Sequence, residues 1–197
     1  LHRKAGCKVP QFHFLCCDEG ECVVKKKISV PLSSKGIDQL IREIESYQRW
    51  LKERTEIFLD RLAQEGLQIA SVKFGKAVYD GTNNVSVSVE MRGSNARSVV
   101  ALGRAVLFIE FGTGVVYPDN HPEAQEHGME RGKYGMGHGS QQKWGYYGEP
   151  GSNGVTVVKP NGKEVVITQG NPANMPMYET VKELKERISL IAKEVFS

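Results

Sequence analysis

From Ser34 onward, apolar residues recur at steps of three and four: Ile37, Leu40, Ile41, Ile44, Tyr47, Leu51, Phe58 and Leu62. That period puts them on one face and predicts a long amphipathic helix reaching about Lys73. Ser33 or Ser34 is placed to offer a side-chain oxygen to the free amides of the first turn, and Glu45 and Arg49 sit four apart on the polar face. Gly66 falls inside this stretch, where it is expected to bend or interrupt the helix.

The period then changes to two. Val85, Val87, Val89 and Met91 alternate with Ser86, Ser88 and Glu90, predicting a half-buried strand. Asp80-Gly81 and Asn83-Asn84 supply turn chemistry for a hairpin with Lys76–Tyr79. Ser98–Leu102 reads as a further strand, and Arg104–Phe111 fits a short buried helix or a strand. Between Gly112 and Gly154 lie 11 of the 21 glycines, so no regular element is expected there and 114–155 reads as a flexible insertion. Val155–Val158 and Glu164–Thr168, joined through Pro160-Asn161-Gly162, form a second hairpin. After Pro172 and Pro176 a last amphipathic helix carries Met177, Val181, Leu184, Ile188, Ile191 and Val195. The fold class is therefore α+β, with a long N-terminal helix, antiparallel hairpins, a long Gly-rich loop and a C-terminal helix packed on the sheet.

Charge separates the first 27 residues from the rest. They hold six basic and three acidic side chains and all four cysteines, Cys7, Cys16, Cys17 and Cys22, whereas residues 28–197 are charge-balanced. We read 1–27 as an unstructured leader foreign to a single domain over 28–197, with the natural start near Val23 or Val24. The cysteines contain no C-x-x-C pair of the kind a zinc knuckle uses. Gln11–Cys17 is too short an apolar run, and ends too soon in Asp18-Glu19, to be an export signal. The balanced body lacks the basic stripe that sequence-specific nucleic-acid binding requires, and no apolar run is long enough for a membrane span.

Candidate chemistry is sparse. Glu110-Phe111-Gly112-Thr113-Gly114 has a G-x-G step, but Tyr117 stands where a dinucleotide loop needs its third glycine. His121, His127 and His138, near Glu123, Glu126 and Glu130, are the best metal candidates, yet they form no H-E-x-x-H arrangement. We therefore assign no catalytic residue, metal or cofactor. A metal-dependent hydrolase using the histidine-rich loop is the alternative. Tyr117, Tyr134, Trp144, Tyr146 and Tyr147 bring aromatic rings into the polar, glycine-rich region, where they either fold back on the domain or anchor an interface.

Taken together, the first helix, the Val/Ser strand, Ala105–Gly114 and Gly170-Asn171-Pro172-Ala173-Asn174-Met175-Pro176-Met177-Tyr178 resemble the tail-component family typified by the gene-ten product of phage Hong Kong ninety-seven. The family motif falls on Glu110, Phe111, Gly112 and Thr113, then on Pro172, Pro176 and Met177, the last standing where Phe is commoner. The likeness covers about Ile28 to Ser197, and the insertion between Gly114 and Val155 departs from the short family pattern. The resemblance implies a non-enzymatic structural protein of a siphovirus-type virion, assembled in the host cytoplasm. It further implies a ring of copies, six in the particle, between the head-tail connector and the tail terminator or tail tube. Tyr117, Tyr134, Trp144, Tyr146 and Tyr147 are the expected interface residues.

Overall fold

The computed structural model describes residues 13–16, 22–25, 28–117, 121–135 and 140–197. The element order is β1 (His13–Cys16), β2 (Cys22–Lys25), α1 (Ser34–Gly75), β3 (Ser86–Met91), β4 (Arg97–Leu102), α2 (Val106–Phe111), β5 (Trp144–Tyr146), β6 (Val155–Val158), β7 (Glu164–Thr168) and α3 (Pro176–Phe196). The strands form three antiparallel sheets, ordered β1-β2, β3-β4 and β5-β7-β6. This is the α+β architecture expected from the sequence. Among the described residues no helix is long and apolar enough to cross a membrane.

The chain divides into two units, residues 1–61 with 187–197, and residues 62–186. In the first, Ser33 caps α1: its Oγ accepts the Gly36 N–H at 3.1 Å, satisfying one of the amides a helix start leaves free. Phe196 of α3 packs its ring 6.1 Å from Trp50 and 6.0 Å from Phe58, and Arg61 meets Glu194 at 2.8 Å on the surface. The rest of the α1 apolar stripe is not covered in this way. Ile37, Ile41, Ile44 and Leu51 are between 40 and 50% exposed. Of the leader, β1 and β2 pair from His13↔Lys25 to Cys16↔Cys22; otherwise the leader read over 1–27 lies outside the described residues.

The second unit contains a core of Phe74, Ala105 and Ile109, against which Val85, Val87, Ala101, Val106 and Met177 pack. The alternating valines of β3 pair with β4 in a register running from Ser86↔Leu102 to Met91↔Arg97. Val87 and Ala101 thus face the core side by side. The hairpin between β6 and β7 follows the sequence reading, from Val155↔Ile167 to Val158↔Glu164.

Four sequence expectations need correcting. Lys76–Tyr79 is not a strand, because the Asn174 side chain takes the place of a partner strand. Its Oδ1 accepts the Val78 N–H at 2.8 Å and its Nδ2 donates to the Val78 carbonyl at 2.9 Å, so the segment's backbone is satisfied without a ladder. The Gly-rich region does contain a strand, β5, since Trp144–Tyr146 pairs with Val166–Thr168 across β7. On α3, Val181 and Ile188 of the expected buried face are exposed, while Thr180, Ile191 and Val195 are buried.

Gly66 does not break α1, which runs unbroken for 42 residues. A Cβ there would lie 3.0 Å from both Leu184 Cδ1 and Val99 Cγ2, so the glycine makes room for α3 and β4 to approach the helix. Gly66→Val should therefore destabilise the protein by about 2 to 3 kcal/mol, through overpacking that helix propensity cannot offset. Urea denaturation followed by circular dichroism measures it. An unchanged midpoint would mean that Leu184 and Val99 do not pack over this position.

Candidate functional site

Glu110–Thr113 and Pro172–Met177 are far apart in sequence and meet in the second unit. Glu110, at the end of α2, is buried, yet its carboxylate is fully engaged. Oε2 accepts the Met177 N–H at 2.8 Å and Oε1 accepts the Tyr178 N–H at 2.9 Å. These are first-turn amides of α3, which have no intrahelical acceptor, so a carboxylate from another element caps the helix and answers the positive end of its dipole. Pro176, with no N–H to satisfy, occupies the first helical position.

The surrounding bonds hold that carboxylate in place. The α2 carbonyls of Phe108, Ile109 and Glu110 accept from Asn171 Nδ2 at 2.8 Å, Asn174 N at 2.9 Å and Met175 N at 3.2 Å. Thr113 and Asn171 exchange backbone bonds of 2.9 and 3.2 Å, and Thr113 Oγ1 donates to Asn171 Oδ1 at 2.6 Å. Gly112 turns the chain with φ of 75°, and any Cβ there would lie 2.6 Å from the Ala173 nitrogen. Met175, just before α3, is held at φ of 54°, a conformation costly for a methionine and fixed by these bonds. Phe111 is buried with its ring centroid 4.5 Å from that of His121. The motif residues Glu110 to Thr113, Pro172, Pro176 and Met177 thus build a frame.

His121 belongs to the same frame. His121 is buried, its Nδ1 accepting the Glu123 N–H at 3.0 Å. Nε2 is then the nitrogen that carries the proton, and it donates to Glu110 Oε1 at 3.1 Å. Both ring nitrogens are engaged. His127 packs its ring 5.8 Å from that of Phe111 and lies 3.7 Å from Glu123, and His138 is outside the described residues. No group of three or more metal-ligating side chains occurs among the described residues.

The expected interface aromatics fall in two places. Tyr134, Trp144, Tyr146 and Tyr147 line one cavity of about 350 Å³, and Tyr117, whose hydroxyl accepts from Asn153 Nδ2 at 3.1 Å, borders a different depression beside β6 and β7. Tyr79, Asp80, Phe108, Glu149 and Thr168 also line the first cavity. The sequence reading missed these five, which come from separate segments; Asp80 was legible only as a turn residue.

Asp80 is a buried clamp. Its Oδ1 accepts the Asn153 N–H at 2.5 Å and its Oδ2 accepts the Thr168 hydroxyl, tying the loop after α1 to β7. Burial pushes the Tyr79, Tyr134 and Tyr146 hydroxyls above the ordinary phenol value, Tyr134 the furthest, and the Asp80 charge adds to the shift of Tyr79 and Tyr146. Phe108 stacks on Tyr134 with ring centroids 6.1 Å apart.

Comparison with protein-family models, with curated proteins and with solved structures finds no match to this chain. The tyrosine environments are checked directly by titration. A phenol raised in the folded state contributes stability below the unfolded value near 10 and loses it as pH climbs through the folded value. Ultraviolet absorbance should therefore show three of the seven tyrosines ionising late, with loss of folded circular dichroism beginning above about pH 10. Seven tyrosines titrating together near the ordinary value would contradict the burial of the cavity rings.

Proposed function

We propose that the chain is a structural subunit of a long-tailed phage or prophage particle, acting at the junction of head and tail. In this reading it assembles in a ring of its own copies and docks there on connector and tail proteins. The family assignment rests on the resemblance of Glu110–Thr113 and Gly170–Tyr178. Their meeting in one frame agrees with it, because residues that fix a backbone through contacts across the chain are the ones a motif would retain.

The observation that carries the assembly part is a pair of unlike apolar patches left at the surface. One is the stripe of Ile37, Ile41, Ile44 and Leu51 on α1. The other is β6, an edge strand whose Val155, Val157 and Val158 are all exposed. Edge strands and grouped aliphatic side chains left in water are liabilities unless a partner covers them. Two different patches on one chain suit a head-to-tail contact, in which the helix stripe of one copy covers the strand of the next, and such contacts form a ring where the rotation between copies closes.

Ring assembly through these patches predicts that the wild-type chain sediments as an oligomer whose population grows with concentration. A variant carrying Ile41→Glu and Ile44→Glu, and separately Val157→Glu, should each shift it to monomer with unchanged circular dichroism. In phage made with either variant, electron microscopy should show filled heads apart from completed tails. A wild-type chain that stays monomeric at about 100 µM, together with intact virions from both variants, would overturn the reading.

A further inference from the structure

We propose that the aromatic cavity of the 62–186 unit binds an organic cation, an ammonium or guanidinium group carried on a short aliphatic arm. The proposal stands on the cavity's own chemistry and holds whether or not the assembly reading does. The cavity is walled by the rings of Tyr79, Tyr134, Trp144, Tyr146 and Tyr147, whose faces carry the negative part of the aromatic quadrupole. Asp80 and Glu149 add carboxylates, and among the described residues no lysine or arginine lines the space. A cavity of about 350 Å³ suits one side-chain-sized group with part of its arm, and is too small for a polypeptide element.

Two details favour a cation over a neutral apolar guest. The Asp80 carboxylate is immobilised by the Asn153 N–H and the Thr168 hydroxyl, so its negative charge is fixed in position before any ligand arrives. Tyr147 already attracts a cation from outside, for Lys159 Nζ lies 5.8 Å from its ring centroid. The Arg131 charge acts on Tyr134 and offsets part of the cavity's negative potential, but Arg131 is not among the described residues that line the cavity.

The sequence holds two tryptophans, so Trp50→Phe leaves Trp144 as the sole indole, in the cavity wall. Its fluorescence should change saturably on titration with N-acetyl-arginine amide or with choline, with half-saturation around millimolar for so small a guest. N-acetyl-norleucine amide, of similar length and uncharged, should give no saturable change. A response to the arginine probe at least tenfold tighter than to choline would assign the cavity to a protein side chain, and the reverse to a free quaternary ammonium. Glu149→Gln and Tyr147→Leu, both at exposed positions where folding should be kept, should each weaken binding about threefold or more. Asp80→Asn should abolish it, with circular dichroism reporting whether the fold survives. No saturable change with either cation up to 50-fold above the expected half-saturation (about 50 mM), or an equal response to the norleucine probe, would overturn the proposal. So would unaltered binding in both exposed variants.

Discussion

A buried carboxylate must be fully hydrogen-bonded, and in this protein that requirement joins the two halves of the motif. Glu110 is buried, where an unpartnered charge would be strongly destabilising. Met177, Tyr178 and His121 supply its donors, and the first two lie at the only place in α3 where amides are free to give. The helix start therefore cannot move without stranding both the carboxylate and two amides. Breaking such a pairing costs about 3 to 5 kcal/mol when one partner is removed, a large share of a domain's net stability. Asn171 and Asn174 extend the same logic, because their amides serve α2, Thr113 and Val78 at once.

With that frame fixed, the remaining structure of the second unit follows from what the frame leaves free. Asn174 satisfies Val78, so the chain after α1 passes on as a loop, which delivers Tyr79 and Asp80 to the cavity. Asp80 then reaches Thr168 at the end of β7, and β7 pairs with the strand that carries Trp144 and Tyr146. The aromatic rings consequently face a defined space with a fixed charge. The frame therefore positions the cavity residues; recognition by the cavity and assembly through the exposed aliphatic patches are the proposals built on it.

Periodicity made the large elements legible. The steps of three and four in Ile37 to Leu62 and Met177 to Val195 gave α1 and α3, alternating valines gave β3, and two short runs joined through Pro160-Asn161-Gly162 gave β6 and β7. What periodicity could not convey was which apolar residues are covered. Ile37, Ile41 and Ile44 fit a helical face as well as Leu62 does, but exposure depends on what packs there. Gly66 reads as a helix breaker by propensity, whereas tertiary contact with Leu184 and Val99 explains it. The strand Trp144–Tyr146 was hidden by the glycines around it, because composition describes a window and β-pairing depends on a distant partner. The role of Glu110 was equally invisible, since its acceptor function is defined by amides 67 and 68 residues away. Glu110–Thr113 and Pro172–Met177 stood out in the sequence as a pattern, and in the structure they are joined by contact.

The most direct test of this account is hydrogen exchange at the amides of Met177 and Tyr178 in the native protein. First-turn amides of a helix, having no intrahelical acceptor, ordinarily exchange at nearly unprotected rates. If Glu110 caps α3 as described, these two amides should exchange only as slowly as the α3 interior, through global unfolding. Exchange at the unprotected rate, with the helix interior still protected, would contradict the claim that this carboxylate holds the two motif segments together.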